Sequence, residues 1–175
     1  MENASKALIM AATILLGIMI ISVGVALFNS FGGFSEEITK QIEETKIQEF
    51  NTQFLKYYGK ITSTNEDTGK TETNPIKITA HDVVTLANLA SKNNVQHDVE
   101  EQIQRSDNTY YIQIELLKKY KNMEKLPENV LTDFIKENDM IYDSTNNLVT
   151  KYYYIANVEV SSKSGRVIYV QITEF

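Results

Sequence analysis

The chain contains no cysteine. Disulfides, thiolate metal ligands and a cysteine nucleophile are therefore excluded. Tryptophan is missing as well, so an aromatic belt at a membrane boundary would fall to Phe28, Phe31 and Phe34. Only seven glycines occur. None is arranged as G-x-G-x-x-G or as a P-loop, the patterns that let backbone N–H groups cradle phosphate. There is no G-x-S-x-G, so the turn that exposes a nucleophilic serine is not encoded. Positive charge is also short: 17 Lys and Arg against 23 Asp and Glu leave a net charge of −6. That balance argues against holding nucleic acid on a basic surface.

Histidine is nearly absent. The only two are His81 and His97, each followed by an aspartate. A His-Asp pair is a potential base or metal site. Their separation matches no zinc spacing, however. Asp82 reads as a helix-start acid, and an extended segment around His97-Asp98 would turn the two side chains to opposite faces. A tethered hydrolase using either histidine is the weakest of three functional readings. No catalytic residue, metal or cofactor is expected.

The most informative shortage is of charge near the N-terminus. From Ala7 to Ser35 there is no charged side chain. The run ALIMAATILLGIMIISVGVALF, residues 7–28, is as long as a membrane-spanning helix needs to be: roughly 33 Å at about 1.5 Å per residue, against a hydrocarbon core of about 30 Å. Only a helix satisfies its own backbone groups there. The run exceeds the apolar region of a cleavable secretory signal. Lys6 and the α-amino group abut it on one side, whereas the first positive charge on the other is Lys40. Positive charge stays on the cytoplasmic side. The expected topology is single-pass, with the N-terminus inside and the C-terminal domain extracytoplasmic. Thr13, Gly17 and Gly24 place small residues on one face, which permits close helix packing.

After this run Gly32-Gly33 predicts a hinge, and Ser35 with Glu36 and Glu37 a new helix start. Ile47, Phe50, Phe54 and Tyr57/Tyr58 then keep helical spacing up to Gly59, a C-cap candidate. The expected division is a leader at 1–6, a transmembrane helix at 7–28, a hinge and amphipathic helix at 29–58, and a soluble head at 59–175.

The head reads as α+β with a mostly antiparallel sheet and two short helices. KITST and PIKIT suggest a hairpin across 60–78. Thr79 and Asp82 open a helix with a capping box. Val95 to Gln104 and TYYIQIELL suggest a second hairpin. Pro127 opens a helix with Val130, Leu131, Phe134 and Ile135 inward. KYYYIANVEV and RVIYVQITEF form the clearest hairpin.

The order of a short leader (MENASK), an apolar helix, an amphipathic continuation (SEEITKQIEETKIQEFNTQF) and a β-rich head resembles type IV pilins and pseudopilins. ITAHDVVTLANLASKNN is similar to a segment of pilin-like proteins from Gram-positive bacteria. The resemblance implies a non-enzymatic structural or assembly subunit, with the lipid bilayer and further pilin-like subunits, including its own copies, as partners. It places leader processing at Lys6-Ala7. The chain departs from the family where a glutamate is expected at the fifth mature position, since none occurs in Leu8–Phe34. The second reading is a membrane-tethered extracytoplasmic binding or sensing domain.

Overall fold

The computed structural model describes residues 2–64, 69–99 and 110–175. It divides into two units, Met1–Lys46 and Ile47–Phe175.

The first element, α1, is one helix from Glu2 to Leu55. The expected break does not occur: the helix passes through Gly32 and Gly33 unbroken, and Ser35 does not start a new one. Each glycine costs a helix only about 1 kcal/mol relative to alanine, which long flanking runs of good helix formers absorb. Six hydroxyl side chains fold back on α1's own carbonyls, among them Ser22 on Ile18 at 2.8 Å and Thr45 on Gln41 at 2.8 Å. Back-bonding of this kind satisfies the hydroxyl within the helix itself. The helix ends at Leu55, ahead of the expected cap. Tyr57 and Tyr58 N–H groups close tighter turns on Phe54 and Leu55, and Gly59, at φ +154°, turns the chain into the first strand.

In the Ile47–Phe175 unit, β1 (Lys60–Thr64) pairs antiparallel with β2 (Thr71–Pro75). The hairpin is the expected one, but its second strand is TETNP rather than PIKIT. Ile78 instead bridges to Tyr153, donating and accepting at 2.8 Å. Helix α2 (Ala80–Gln96) starts where the capping box placed it. The Thr79 Oγ1 accepts the Asp82 N–H at 3.3 Å, and the Asp82 carboxylate accepts the Thr79 N–H at 2.9 Å. A short 3-10 turn (Met123–Lys125) precedes α3 (Glu128–Asn138), which Pro127 opens. Leu131 and Phe134 are buried, while Val130 and Ile135 are half-buried.

The expected hairpin of 95–104 with TYYIQIELL is corrected in part. Val95 and Gln96 end α2, and His97 is its C-cap. The rest of the first strand, from residue 100, lies outside the described residues. Strand β3 (Gln113–Leu116) runs parallel to the last strand, β7 (Val167–Glu174), which pairs antiparallel with β6 (Tyr153–Val160). The sheet order is β3-β7-β6. A parallel neighbour needs a crossover, and the segment through α3 and β6 supplies it. Tyr111, Ile112, Gln113 and Ile114 are all buried, so this stretch is covered on both faces, not one. Between α3 and β6 lies a hairpin that the sequence did not announce, β4 (Met140–Tyr142) with β5 (Leu148–Thr150).

The core joins Val83, Leu86, Ala87 and Ala90 of α2, Phe134 of α3, and Ile114, Ile155, Val170 and Ile172 of the sheet. Phe54 belongs to it, with Phe50 and Tyr57 packed alongside. The head therefore takes the last turns of α1 into its own core.

Candidate functional site

The described residues contain one helix long and apolar enough to cross a membrane. From Glu2 to Lys46 every side chain is exposed, apart from half-exposed Gly17. None of the described residues covers this apolar surface. Twelve Leu, Ile, Val and Phe side chains lie in residues 7–28. At roughly 0.3–0.6 kcal/mol each, they favour insertion by roughly 4–7 kcal/mol. Thr13 Oγ1 donates to the Met10 carbonyl at 2.9 Å, and no neighbouring atom stands near Gly17, Gly24, Gly32 or Gly33. Lys6 Nζ meets Glu2 Oε1 at 3.1 Å, one turn away and exposed, and Ala7 is exposed beside it.

A second arrangement holds the end of α1 to the head. Asn51 lies on the stripe of Ile47 and Phe54, four residues after one and three before the other. Its Nδ2 donates to the Gly165 carbonyl at 2.7 Å, and its Oδ1 accepts the Val167 N–H at 2.9 Å. It thus grips the turn between β6 and β7, which Gly165 makes at φ +66°. Arg166 in that turn lies over the Phe50 ring at 4.2 Å and over Tyr110 at 5.2 Å. Its Nη2 donates to Asn93 Oδ1 at 2.7 Å, and Asn93 Nδ2 reaches the Tyr110 carbonyl at 2.7 Å. One guanidinium therefore ties α1, α2 and the approach to β3 together. Burial lowers its pKa. The stacking on two rings compensates in part for its buried Nε, which has no hydrogen-bond partner among the described residues.

The histidines do not meet. His81 and His97 stand at opposite ends of α2. His81 Nε2 is 3.9 Å from the Asp139 carboxylate, both being well exposed. His97 stacks on Tyr110 at 4.3 Å. Burial and then the Arg166 charge hold its pKa below the ordinary value. Among the described residues no three His, Asp or Glu side chains gather as a metal site would require.

The buried carboxylate is one that sequence reading passed over. Glu124 is 5% exposed. It accepts from the Tyr111 hydroxyl at 2.5 Å and from the Ile114 N–H at 2.9 Å. Burial raises its pKa, against the lowering effect of those two bonds. Burial and the bond to Glu124 likewise raise the Tyr111 hydroxyl. Asn94 works beside it: its side chain accepts the Ile112 N–H at 2.8 Å and donates to the Ile112 carbonyl at 2.9 Å. These groups fix the approach to β3 in place of a neighbouring strand. These hydrogen bonds all lie inside the fold, which suits a structural role.

The head also has a cleft of about 490 Å3, lined by Tyr58, Gly59, Lys60, Thr73, Pro75 and Tyr154–Ala156. No family model, no curated protein and no solved structure matches the chain. The assignment of function therefore rests on geometry and chemistry. At its coarsest the molecule is a long apolar N-terminal helix, of the kind that enters a membrane, followed by a mixed α/β domain with antiparallel pairing and short helices.

Proposed function

We propose that the protein is a membrane-anchored, pilin-like structural or assembly subunit that performs no catalysis. The observation carrying this reading is the continuity of α1, one helix of 54 residues. Its first half is apolar on all sides and its last turns are part of the head's core. A merely tethered domain could be anchored through a flexible linker instead. A subunit of a helix bundle would use one continuous helix both to pack with its neighbours and to carry its head. The leader MENASK ends at Lys6-Ala7, in exposed helix that a peptidase would have to unwind. Lys6 and the α-amino group favour an N-terminus inside and a head outside.

The intact mass of native protein extracted from membranes tests the proposal. Loss of the first six or seven residues is expected, followed by recovery of the processed chain in sheared surface filaments. A full-length mass with no filaments would leave a permanently anchored domain, and the reading as a subunit would fall.

A further inference from the structure

The hairpin of β4 and β5 is short and apolar, and among the described residues it is a sheet of its own, joined to no third strand. Met140, Ile141, Tyr142, Leu148 and Val149 are 37–69% exposed. An isolated two-stranded hairpin is marginal in water, yet this one has a well-made turn. Asp143 Oδ1 accepts the Thr145 N–H at 2.9 Å, the Thr145 hydroxyl at 2.8 Å and the Asn147 N–H at 2.8 Å. Asn146 takes the left-handed conformation, φ 61°. Fixing a shape in advance lowers the entropy cost of binding.

The cleft offers the complementary features. Tyr58, Pro75, Tyr154 and Ile155 make it largely apolar, and Lys60 puts one positive charge in its lining. It also borders the outer edge of β6. β7 occupies one side of that strand, and on the other Tyr153 is bridged by Ile78. Next along β6, Tyr154, Ile155 and Ala156 line the cleft. An unpaired edge is a template for another strand. The hairpin carries its acid, Asp143, at the turn, where the hydrogen bonds from Asn147 and Thr145 lower its pKa.

We infer that the β4–β5 hairpin of one copy seats in the cleft of another, with apolar side chains filling it, a hairpin strand extending the edge of β6, and Asp143 facing Lys60. The occupant is a second copy of this chain because the complementary partner is present on the chain itself: an apolar hairpin with an acid, and an apolar cleft with a base. Anchoring in one membrane raises the effective concentration of copies and lets a modest contact form. The contact joins two different surfaces, so it can propagate from copy to copy. It goes beyond the subunit reading, since copies anchored permanently in a membrane could make it as well.

The absence of cysteine provides a clean background for testing it. Tyr142→Cys and Thr73→Cys are made in separate full-length chains, both at exposed positions, and co-expressed in membranes under mild oxidation. A disulfide-linked dimer is expected only when both variants are present. Adding Lys60→Glu should lower its yield about tenfold, as the loss of about 1.4 kcal/mol would. Asp143→Asn, which keeps the turn's acceptor oxygen, should lower the yield in the same direction. A chain carrying Gly24→Cys reports association through the apolar helix in the same membranes. Helix cross-links without a head cross-link would overturn the inference and leave the subunit reading standing. Cross-linking of Tyr142→Cys with itself alone would overturn it too, because hairpins would then pair with hairpins. Absence of both kinds of cross-link would sink both proposals.

Discussion

Asn94 shows how much one polar side chain can carry. It is 2% exposed and occupies both backbone groups of Ile112. Asn94→Ala would leave a buried N–H and a buried C=O unpaired at about 1–3 kcal/mol for each group left unsatisfied. We expect a loss of about 2–4 kcal/mol in urea unfolding of the detergent-solubilised chain, with an unchanged m-value. Glu124 makes a different prediction. Its folded pKa lies above its ordinary 4.5 because burial outweighs its hydrogen bonds. The native state therefore holds its proton to higher pH than the unfolded state does. The associated stability is fully present below about pH 4.5, falls as pH rises from there through the folded pKa, and then levels. Glu124→Gln removes that slope. The difference between the two stability profiles should decline above pH 4.5 for the wild type relative to the variant, and parallel profiles would refute this. Neither residue stands out in the sequence. Glu124 sits among charged neighbours in KNMEKL, and Asn94 in the polar run SKNN; only burial distinguishes them. Asn51 could have been found, since it is a polar residue on an otherwise apolar stripe.

At the scale of elements, the periodic and capped segments were legible and the pairings were not. The capping box of α2, the proline that opens α3 and the β6–β7 hairpin are local: each rests on residues within one turn or one tight loop. The partner of β3 is not local. Its parallel pairing with β7 is made across more than fifty residues, and no local pattern encodes it. The strand after the first hairpin turn slipped from PIKIT to TETNP because Ile78 was claimed by Tyr153, a distant competitor. The glycine pair in α1 is the reverse case: a local signal for a break was overruled by helical runs on both sides. Gly32→Ala with Gly33→Ala adds side chains that meet no neighbour. The double variant should favour the helix by about 2 kcal/mol. It should slow amide exchange across residues 29–36 while leaving the head's unfolding midpoint unchanged. Unchanged exchange would mean that the pair does not soften the helix.

For the whole molecule, the question is what covers the apolar surface of residues 7–28. It covers 22 of the 54 residues of α1, and nothing among the described residues buries it. Leu16→Arg, near the middle of the run, should oppose insertion by about 3 kcal/mol. The expected result is a marked loss of protein from the membrane fraction that resists alkaline extraction, with the head's fold preserved. Full retention would show that the run does not cross the bilayer. The head adds a second exposed apolar surface, the β4–β5 hairpin, which the proposal above seats in the cleft of another copy.

The sequence by itself determined the long apolar run, the absence of thiol chemistry and phosphate-binding glycine loops, the helices with capped or proline-marked starts, and the terminal hairpin. Each follows from composition or from contacts only a few residues apart. Tertiary structure alone decided that the last turns of α1 join the head's core, that β3 runs parallel to β7, and that Asn51, Arg166, Asn94 and Glu124 hold the pieces together. The physical reason is common to them all. A polar side chain or a strand edge takes its partner from whatever folding brings near, and that proximity is fixed by the whole core rather than by neighbours in the chain.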